Sequence, residues 1–334
     1  MQTPGPFNAI TDVAGIRVGH HQNESTGTTV ILPPNDGAVA GVDIRGSAPA
    51  SRESDALDPT NLVERVHAIV LSGGSAFGLA TADGVMRALA EQKIGFPVGQ
   101  NVVVPIVPTA CLFDLELGNN AEFQPDAEFG RQALLNVTSE SIAQGNVGAG
   151  TGATAGPLKG GLGSASVMLD QGVVVGALVA VNAVGSAVHP ETGQLYAETF
   201  GLENEFSNLN PHPATTQNKQ DDGPLKNTTL AVVATNAKLD KTQATKVAQM
   251  AHDGMARAIR PIHTMFDGDT IFALSTNKLD VDFEQDVPFK VKEAMKINLI
   301  GEAAADTLTR AIGHAMLHAE SAFGVPCYRE AHLD

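Results

Sequence analysis

Thr228 is the residue where this 334-residue sequence could carry a nucleophile. It follows Gly223-Pro224-Leu225-Lys226-Asn227 and heads Thr229-Leu230-Ala231-Val232-Val233-Ala234-Thr235. The second run is small, aliphatic and β-branched, the composition of a strand buried on both faces. Were the chain cut between Asn227 and Thr228, that strand would begin with a hydroxyl and a free α-amine, which titrates near ~8 and can accept the hydroxyl proton. One residue would then supply both nucleophile and base. The plainer reading of the same stretch is a loop running into a strand. Asn227-Thr228-Thr229 also fits the N-glycosylation pattern, but Met1 to Ala9 has neither the basic residue nor the apolar core of a secretory leader.

Asp267 and Asp269 flank a glycine just before the apolar run Thr270 to Leu274. Asp-Gly is a turn signal, and as such a solvated one. Held close together, two carboxylates would instead raise one another's pKa and could hold an ammonium group. Lys159 lies in a glycine-rich stretch from Gly145 to Gly163. Gly150-Thr151-Gly152-Ala153-Thr154-Ala155 superficially matches a dinucleotide fingerprint, yet no strong strand precedes it and Gly156-Pro157 opposes the helix that must follow. A phosphate loop is excluded because Lys159 is followed by Gly160. What remains is backbone able to approach another group closely, with one lysine that is either solvated or part of a site. Asn182 interrupts the apolar run Val173 to Val184, so its amide is either a structural hydrogen-bond satisfier or a donor aimed into a site. Ser75 follows a strand and precedes a helical pattern, but Gly78 comes one position late for a serine-hydrolase elbow. A tight packing turn fits better.

The elements that must position these groups can be read from periodicity. Ile10 to Val18, Thr28 to Leu32, Ala38 to Ile44, Val66 to Leu71 and Asn101 to Phe113 read as strands or strand regions. Arg45 to Asp58 reads as a surface loop, and the stretch from Gln171 to Pro190 as paired buried strands. Helices are expected over Ala76 to Glu91, over Ala127 to Leu135, behind an N-cap at Asp240, and from Ile297 to Ala315 as the longest amphipathic pattern. Glu203 to Lys226 is polar and proline-bearing, the composition of an exposed tether. Strand and helix alternating after that tether point to layered sheets covered by helices.

Composition narrows the function. Hydrophobic residues make up 43%, with 34 glycines, no Trp and two Tyr, which suits a compact α/β protein of small side chains. A formal charge of −16 disfavours nucleic acid and anionic membranes and is compatible with amine-bearing substrates. Cys111 and Cys327 fit no metal spacing, so no metal or cofactor is expected, and two reduced thiols suit a cytoplasmic protein.

Taken together, Asn227-Thr228-Thr229, Ile262-His263-Thr264, Asp267-Gly268-Asp269-Thr270, the glycine-rich segment with Lys159 and Gly41-Val42-Asp43-Ile44-Arg45-Gly46 resemble the aminopeptidase/D-esterase family of self-processing N-terminal-nucleophile hydrolases. The similarity spans nearly the whole chain and is greatest to the nylon-oligomer hydrolase branch. It implies one αββα sandwich over 1–334, cut between Asn227 and Thr228 into a large chain 1–227 and a small chain 228–334. The two would stay together, usually as a homotetramer. It further implies Thr228 as nucleophile, Lys159 as its helper, Asn182 as oxyanion donor, and Asp267 with Asp269 orienting Thr228 and its amine. Polyamide-hydrolysing members carry a tyrosine where this chain has Phe113, a residue expected at the substrate. Other aminopeptidase members carry a Ser-Gly-Glu element in place of Asp267-Gly268-Asp269. The implied substrates are aminoacyl amides, peptides or 6-aminohexanoate oligomers. An acetyl-transferring enzyme of the related amino-acid-biosynthesis fold and a non-catalytic binding protein are the competing expectations.

Overall fold

A computed structural model describes residues 2–118, 122–214, 227–281 and 288–333. In chain order the strands are β1 (Arg17–Gln22), β2 (Gly27–Leu32), β3 (Ala38–Ile44), β4 (Ala50–Arg52), β5 (Arg65–Val66) and β6 (Ile69–Ser72), followed by helix α1 (Thr81–Glu91). A hairpin of β7 (Phe96–Gly99) and β8 (Val102–Val104) leads to β9 (Thr109–Cys111) and α2 (Ala127–Leu135). A second hairpin, β10 (Thr154–Ala155) and β11 (Leu158–Lys159), runs into β12 (Gly161–Met168) and β13 (Val174–Val181). The C-terminal part is β14 (Leu230–Ala237), α3 (Lys241–Ala258), β15 (Thr270–Leu279), α4 (Phe289–His318) and α5 (Tyr328–His332).

Two sheets form the centre, with strand orders β1-β2-β6-β9-β4 and β12-β13-β14-β15-β3-β5. Their alternation explains why four layers form. Along β14, Leu230, Val232 and Ala234 point into the core between the sheets, whereas Ala231 and Val233 join the core beneath α3 and α4. In β2, Ile31 faces the other sheet while Val30 and Leu32 pack with Val85 and Leu89 of α1 and Ala133 of α2. Central strands such as β14 and β2 therefore have two apolar faces, and the order of layers is helix, sheet, sheet, helix, the αββα sandwich that the resemblance implies. Helix α3 starts where its cap predicts: the Asp240 carboxylate accepts the Gln243 N–H at 2.8 Å, and Gln243 reaches back to the Asp240 N–H at 3.0 Å.

Several expectations are corrected. Residues Ile10 to Asp12 form a 3-10 turn and the first strand begins only at Arg17, because Asp12 caps the Phe7 and Ala9 N–H groups and turns the chain. Arg45 to Asp58 is not loop throughout: β4 pairs with β9, and a 3-10 turn spans Ser54–Leu57. Past β13 the chain leaves regular strand at Asn182. Within the expected tether, Glu205 and Phe206 are anchored rather than free. Arg310 of α4 binds the Glu205 carboxylate at 2.7 Å through Nε and 2.5 Å through Nη2, and Phe206 is buried. Residues 215–226 of that tether lie outside the described residues.

Candidate active site

Strand register brings the chemistry-bearing residues together. β13 runs antiparallel to β14 with Ala180 opposite Leu230, and β15 runs parallel to β14 with Thr270 opposite Leu230. Continued past the strand ends, these registers set Asn182 on one side of Thr228 and Gly268 on the other. The bonds agree: the Thr228 N–H donates to the Asn182 carbonyl at 2.6 Å, and Asn227 bridges to Asp267. β3 pairs antiparallel with β15, Ile44 opposite Thr270, so the next residues run along the far edge of the Asp-Gly-Asp turn. There Arg45 and Gly46 donate N–H bonds to the Asp269 carbonyl, and Ala48 donates to the Asp267 carbonyl at 2.9 Å. Gly46 has no room for a side chain, since a Cβ would lie 2.1 Å from the Asp269 nitrogen.

Thr228 is 4% exposed. Its hydroxyl donates to the Asn227 carbonyl at 2.6 Å, the carbonyl of the bond expected to break. The Gly268 N–H lies 3.1 Å from Thr228 Oγ1 and 3.2 Å from Asn227 O, one donor serving both oxygens.

The two carboxylates are fully buried but differently satisfied. Asp269 accepts the Thr229 N–H at 2.7 Å on Oδ1, and on Oδ2 both the His263 N–H at 3.0 Å and His263 Nδ1 at 2.8 Å. Asp267 Oδ2 accepts the Thr264 N–H at 2.8 Å, while among the described residues its Oδ1 has no well-formed hydrogen bond. Burial pushes the Asp267 carboxyl above its ordinary value and the neighbouring Asp269 charge adds to this, against bonds from Thr264 and the Val184 backbone.

Asn182 is a satisfier: Oδ1 accepts the Thr154 N–H at 3.0 Å and Nδ2 donates to the Phe113 carbonyl at 3.0 Å. Its amide nitrogen carries a second hydrogen, so the donor role is not spent. Phe113 joins the site through this backbone oxygen, with its side chain half-buried.

Lys159 is fully buried, not solvated. Its ammonium donates to the carbonyls of Gly150 at 3.1 Å, Ala153 at 2.7 Å and Gly160 at 3.0 Å. The hairpin turning at Gly156, a left-handed glycine with φ +55°, folds these carbonyls around the amine. Burial pushes Lys159 down to about 7, with the Asp114 charge opposing. Three carbonyl acceptors call for three hydrogens and so also favour the charged form. Among the described residues no hydrogen bond joins Lys159 to Thr228. Its link runs through the loop: it fixes Ala153, and the next residue holds the Asn182 amide. Asp114, 3% exposed, accepts the Thr26 hydroxyl at 2.7 Å and the Gly74 N–H at 2.7 Å, and burial raises its carboxyl above the usual range.

The turn Gly268 N–H, His263 and Asp114 carry no chemical signal that periodicity could expose. His263 stood only within a matching motif, and Asp114 is simply the residue after the run Asn101 to Phe113. A hydroxyl against a carbonyl, a shared N–H donor and a buried carboxylate with a spare oxygen are together the parts needed for acyl transfer to Thr228.

The sequence matches the family described as Peptidase family S58 over residues 8–327. It is 45% identical over 343 residues to an uncharacterized aminopeptidase of Mycobacterium tuberculosis, covering 97% of this chain and 98% of the relative. It is 32% identical over 292 residues to the 6-aminohexanoate-oligomer endohydrolase of Kocuria sp., covering 81% of this chain and 75% of the relative. Among solved structures, the L-aminopeptidase D-Ala-esterase/amidase of Ochrobactrum anthropi, described as a variant of the Ntn hydrolase fold, superposes with a TM-score of 0.73 at 23% identity. That match covers 99% of this chain and 92% of the other. A Burkholderia sp. beta-aminopeptidase gives a TM-score of 0.70 at 24% identity, covering 96% and 89%.

Proposed function

The chain belongs to peptidase family S58, and from that premise we propose a self-cleaving amide hydrolase whose nucleophile is Thr228. The observation that carries this reading is the Gly268 N–H shared between Thr228 Oγ1 and Asn227 O, with the hydroxyl already against that carbonyl. In self-cleavage Oγ1 adds to the Asn227 carbonyl carbon, and the oxygen that gains charge keeps the Gly268 donor. The hydroxyl proton passes to the departing Thr228 nitrogen, leaving an ester that water hydrolyses. The Asn227 carboxylate and the Thr228 α-amine are released.

In the cut protein the α-amine takes the Oγ1 proton, and Oγ1 attacks a substrate amide. The Gly268 N–H and the remaining Asn182 Nδ2 hydrogen are the donors for the substrate oxyanion. Asp267, with its spare buried oxygen, is the acceptor for the α-ammonium, whereas Asp269 is saturated and holds the strand. Lys159 acts by fixing the loop that presents the Asn182 amide.

The substrate class is amides and esters of small amino-acid-like units, including ω-amino-acid oligomers, taken as small molecules with no nucleic-acid or membrane partner. The relative named for 6-aminohexanoate oligomers supports the latter, and Phe113 in place of a tyrosine makes short aminoacyl amides the better substrates. No helix among the described residues is long and apolar enough to cross a membrane. The assembly proposed is a tetramer of processed pairs, which light scattering measures.

Intact mass and N-terminal sequencing test the central step. Scaling 34.6 kDa by length gives pieces of about 24 and about 11 kDa, the smaller starting at Thr228. Thr228→Ala abolishes cleavage and hydrolysis together, and Thr228→Ser keeps some of each. An uncut, fully active alanine variant sinks the mechanism. N-acetylated and free L-alanyl p-nitroanilide, compared side by side, report whether the site reads an ammonium group.

A further inference from the structure

His263 and His252 form a histidine pair behind the carboxylate that holds the nucleophile strand. His263 Nδ1 faces Asp269 Oδ2 at 2.8 Å, and since a carboxylate only accepts, Nδ1 carries the hydrogen. The ring packs edge-on against His252, centroids 4.8 Å apart and planes at 73°. His252 is fully buried and bonds the Asp43 carbonyl at 3.1 Å through Nε2, which fixes its hydrogen there. Two residues further along β3 and its extension, Arg45 and Gly46 return to the Asp269 carbonyl.

The contacts thus close a circuit: Asp269 to His263, to His252, to Asp43, and through Arg45 back to Asp269. Among the described residues, the only side-chain hydrogen bond to the Asp269 carboxylate comes from His263, and the opposite oxygen of that carboxylate carries the Thr229 N–H, one residue from the nucleophile. His263 holds this place at a backbone φ of +58°, a left-handed conformation that a non-glycine residue adopts only when its surroundings fix it.

We propose that His263 is a positioning residue for the Thr228 nucleophile, acting through the Asp269 carboxylate and the Thr229 N–H, with His252 as the wall that orients its ring. This rests on the hydrolase reading above. A carboxylate relieved of the imidazole keeps the His263 backbone N–H on Oδ2 but is held less firmly, and the Thr229 N–H on its other oxygen loosens with it. Displacement of a nucleophile by about an ångström is enough to cost on the order of 10²-fold in rate.

Two variants separate the hydrogen bond from mere bulk. His263→Asn keeps a side-chain N–H where Nδ1 stands and tolerates the left-handed backbone, whereas His263→Gly removes the donor and relieves the strain. In the full chain, His263→Asn is expected to hold kcat on L-alanyl p-nitroanilide within about threefold of wild type. His263→Gly is expected to lower kcat about 10- to 100-fold with little change in KM, and to slow self-cleavage in parallel. Amide exchange at Thr229, read by mass spectrometry on the strand peptide, should quicken in the glycine variant and not in the asparagine one.

Equal activity and equal exchange in both variants, or equal loss in both, overturns the proposal. Should His263→Gly not fold, His263→Gln, whose amide sits one bond farther out and misses Asp269, takes its place with the same expected losses. The exchange readout is independent of turnover. A wild-type chain that neither cuts itself nor hydrolyses the anilide refutes the hydrolase reading, while Thr229 exchange still decides whether His263 holds the strand.

Discussion

Replacing Gly268 with alanine puts a single methyl group at the centre of the site. Built on the observed backbone, its Cβ lies 2.7 Å from Thr228 Oγ1, 2.7 Å from the Ala48 carbonyl and 3.0 Å from Pro49 Cα. Comfortable contact for a carbon begins near 3.5 Å, so two neighbours must each give way by roughly 0.5–1 Å. One of them is main chain in the strap that bonds Asp267, the other the nucleophile itself. Forcing a methyl into such packing costs about 1–3 kcal/mol of stability, and the same displacement of Oγ1 costs on the order of 10²-fold in rate. We expect Gly268→Ala to fold with a lowered Tm, to self-cleave far more slowly, and to lose at least 10²-fold in kcat/KM on L-alanyl p-nitroanilide. Gly254→Ala serves as control, because its Cβ would crowd the Ala305 carbonyl to 2.3 Å where α3 crosses α4, away from the site. It should lose stability and keep its activity per folded molecule. If Gly268→Ala cuts itself and turns over like wild type, the Gly268 N–H and Thr228 Oγ1 are not the working parts.

Three further outcomes follow from the same geometry. Asn182→Ala removes both the bond to Thr154 and the bond to Phe113, so it should lose stability as well as about 10²–10³-fold in turnover; a stable variant with full turnover refutes both roles. Asp114→Asn removes a charge that raises the Lys159 pKa, pushing that group further below about 7. Unfolded lysine keeps its proton to about 10.4 in both proteins, so the two burial penalties differ only while the wild-type amine is still protonated in the fold; the part of the Tm gap owed to Lys159 should narrow as pH rises toward about 7 and be gone above it. A constant gap excludes the coupling. Arg310→Met strands the buried Glu205 carboxylate, which burial pushes up but which the His314 and Arg310 bonds and the Arg310 charge hold below its usual range. The pair stabilises above the unfolded carboxylate pKa and its contribution is lost as pH falls, so a loss of about 3–5 kcal/mol at pH 7 should shrink in acid, measured by thermal melts.

Much of the fold was written locally in the sequence. The alternation through Leu230 to Thr235 announced a strand buried on both faces, Asp240 announced the start of α3, and Ala127 to Leu135 is helical over the expected span. Such features depend on periods and caps that act within a few residues, so no partner need be known. The change at Asn227 and Thr228 was legible for the same reason. What the carboxylates, the lysine and the asparagine do was not. Lys159 taken by itself read first as a solvated loop residue, and only the hairpin carbonyls, with the packing that shuts out water, make it a buried ammonium. Asn182 was a satisfier or a donor until Thr154 and Phe113 were seen to take its amide. Gly268 reached Thr228 across 40 positions, and the Asp269 carboxylate reached Thr229 across as many, because parallel pairing of β14 with β15 fixes that register. Register between distant strands is decided by how two apolar faces fit their neighbouring layers, a property of the whole sandwich that no single stretch contains.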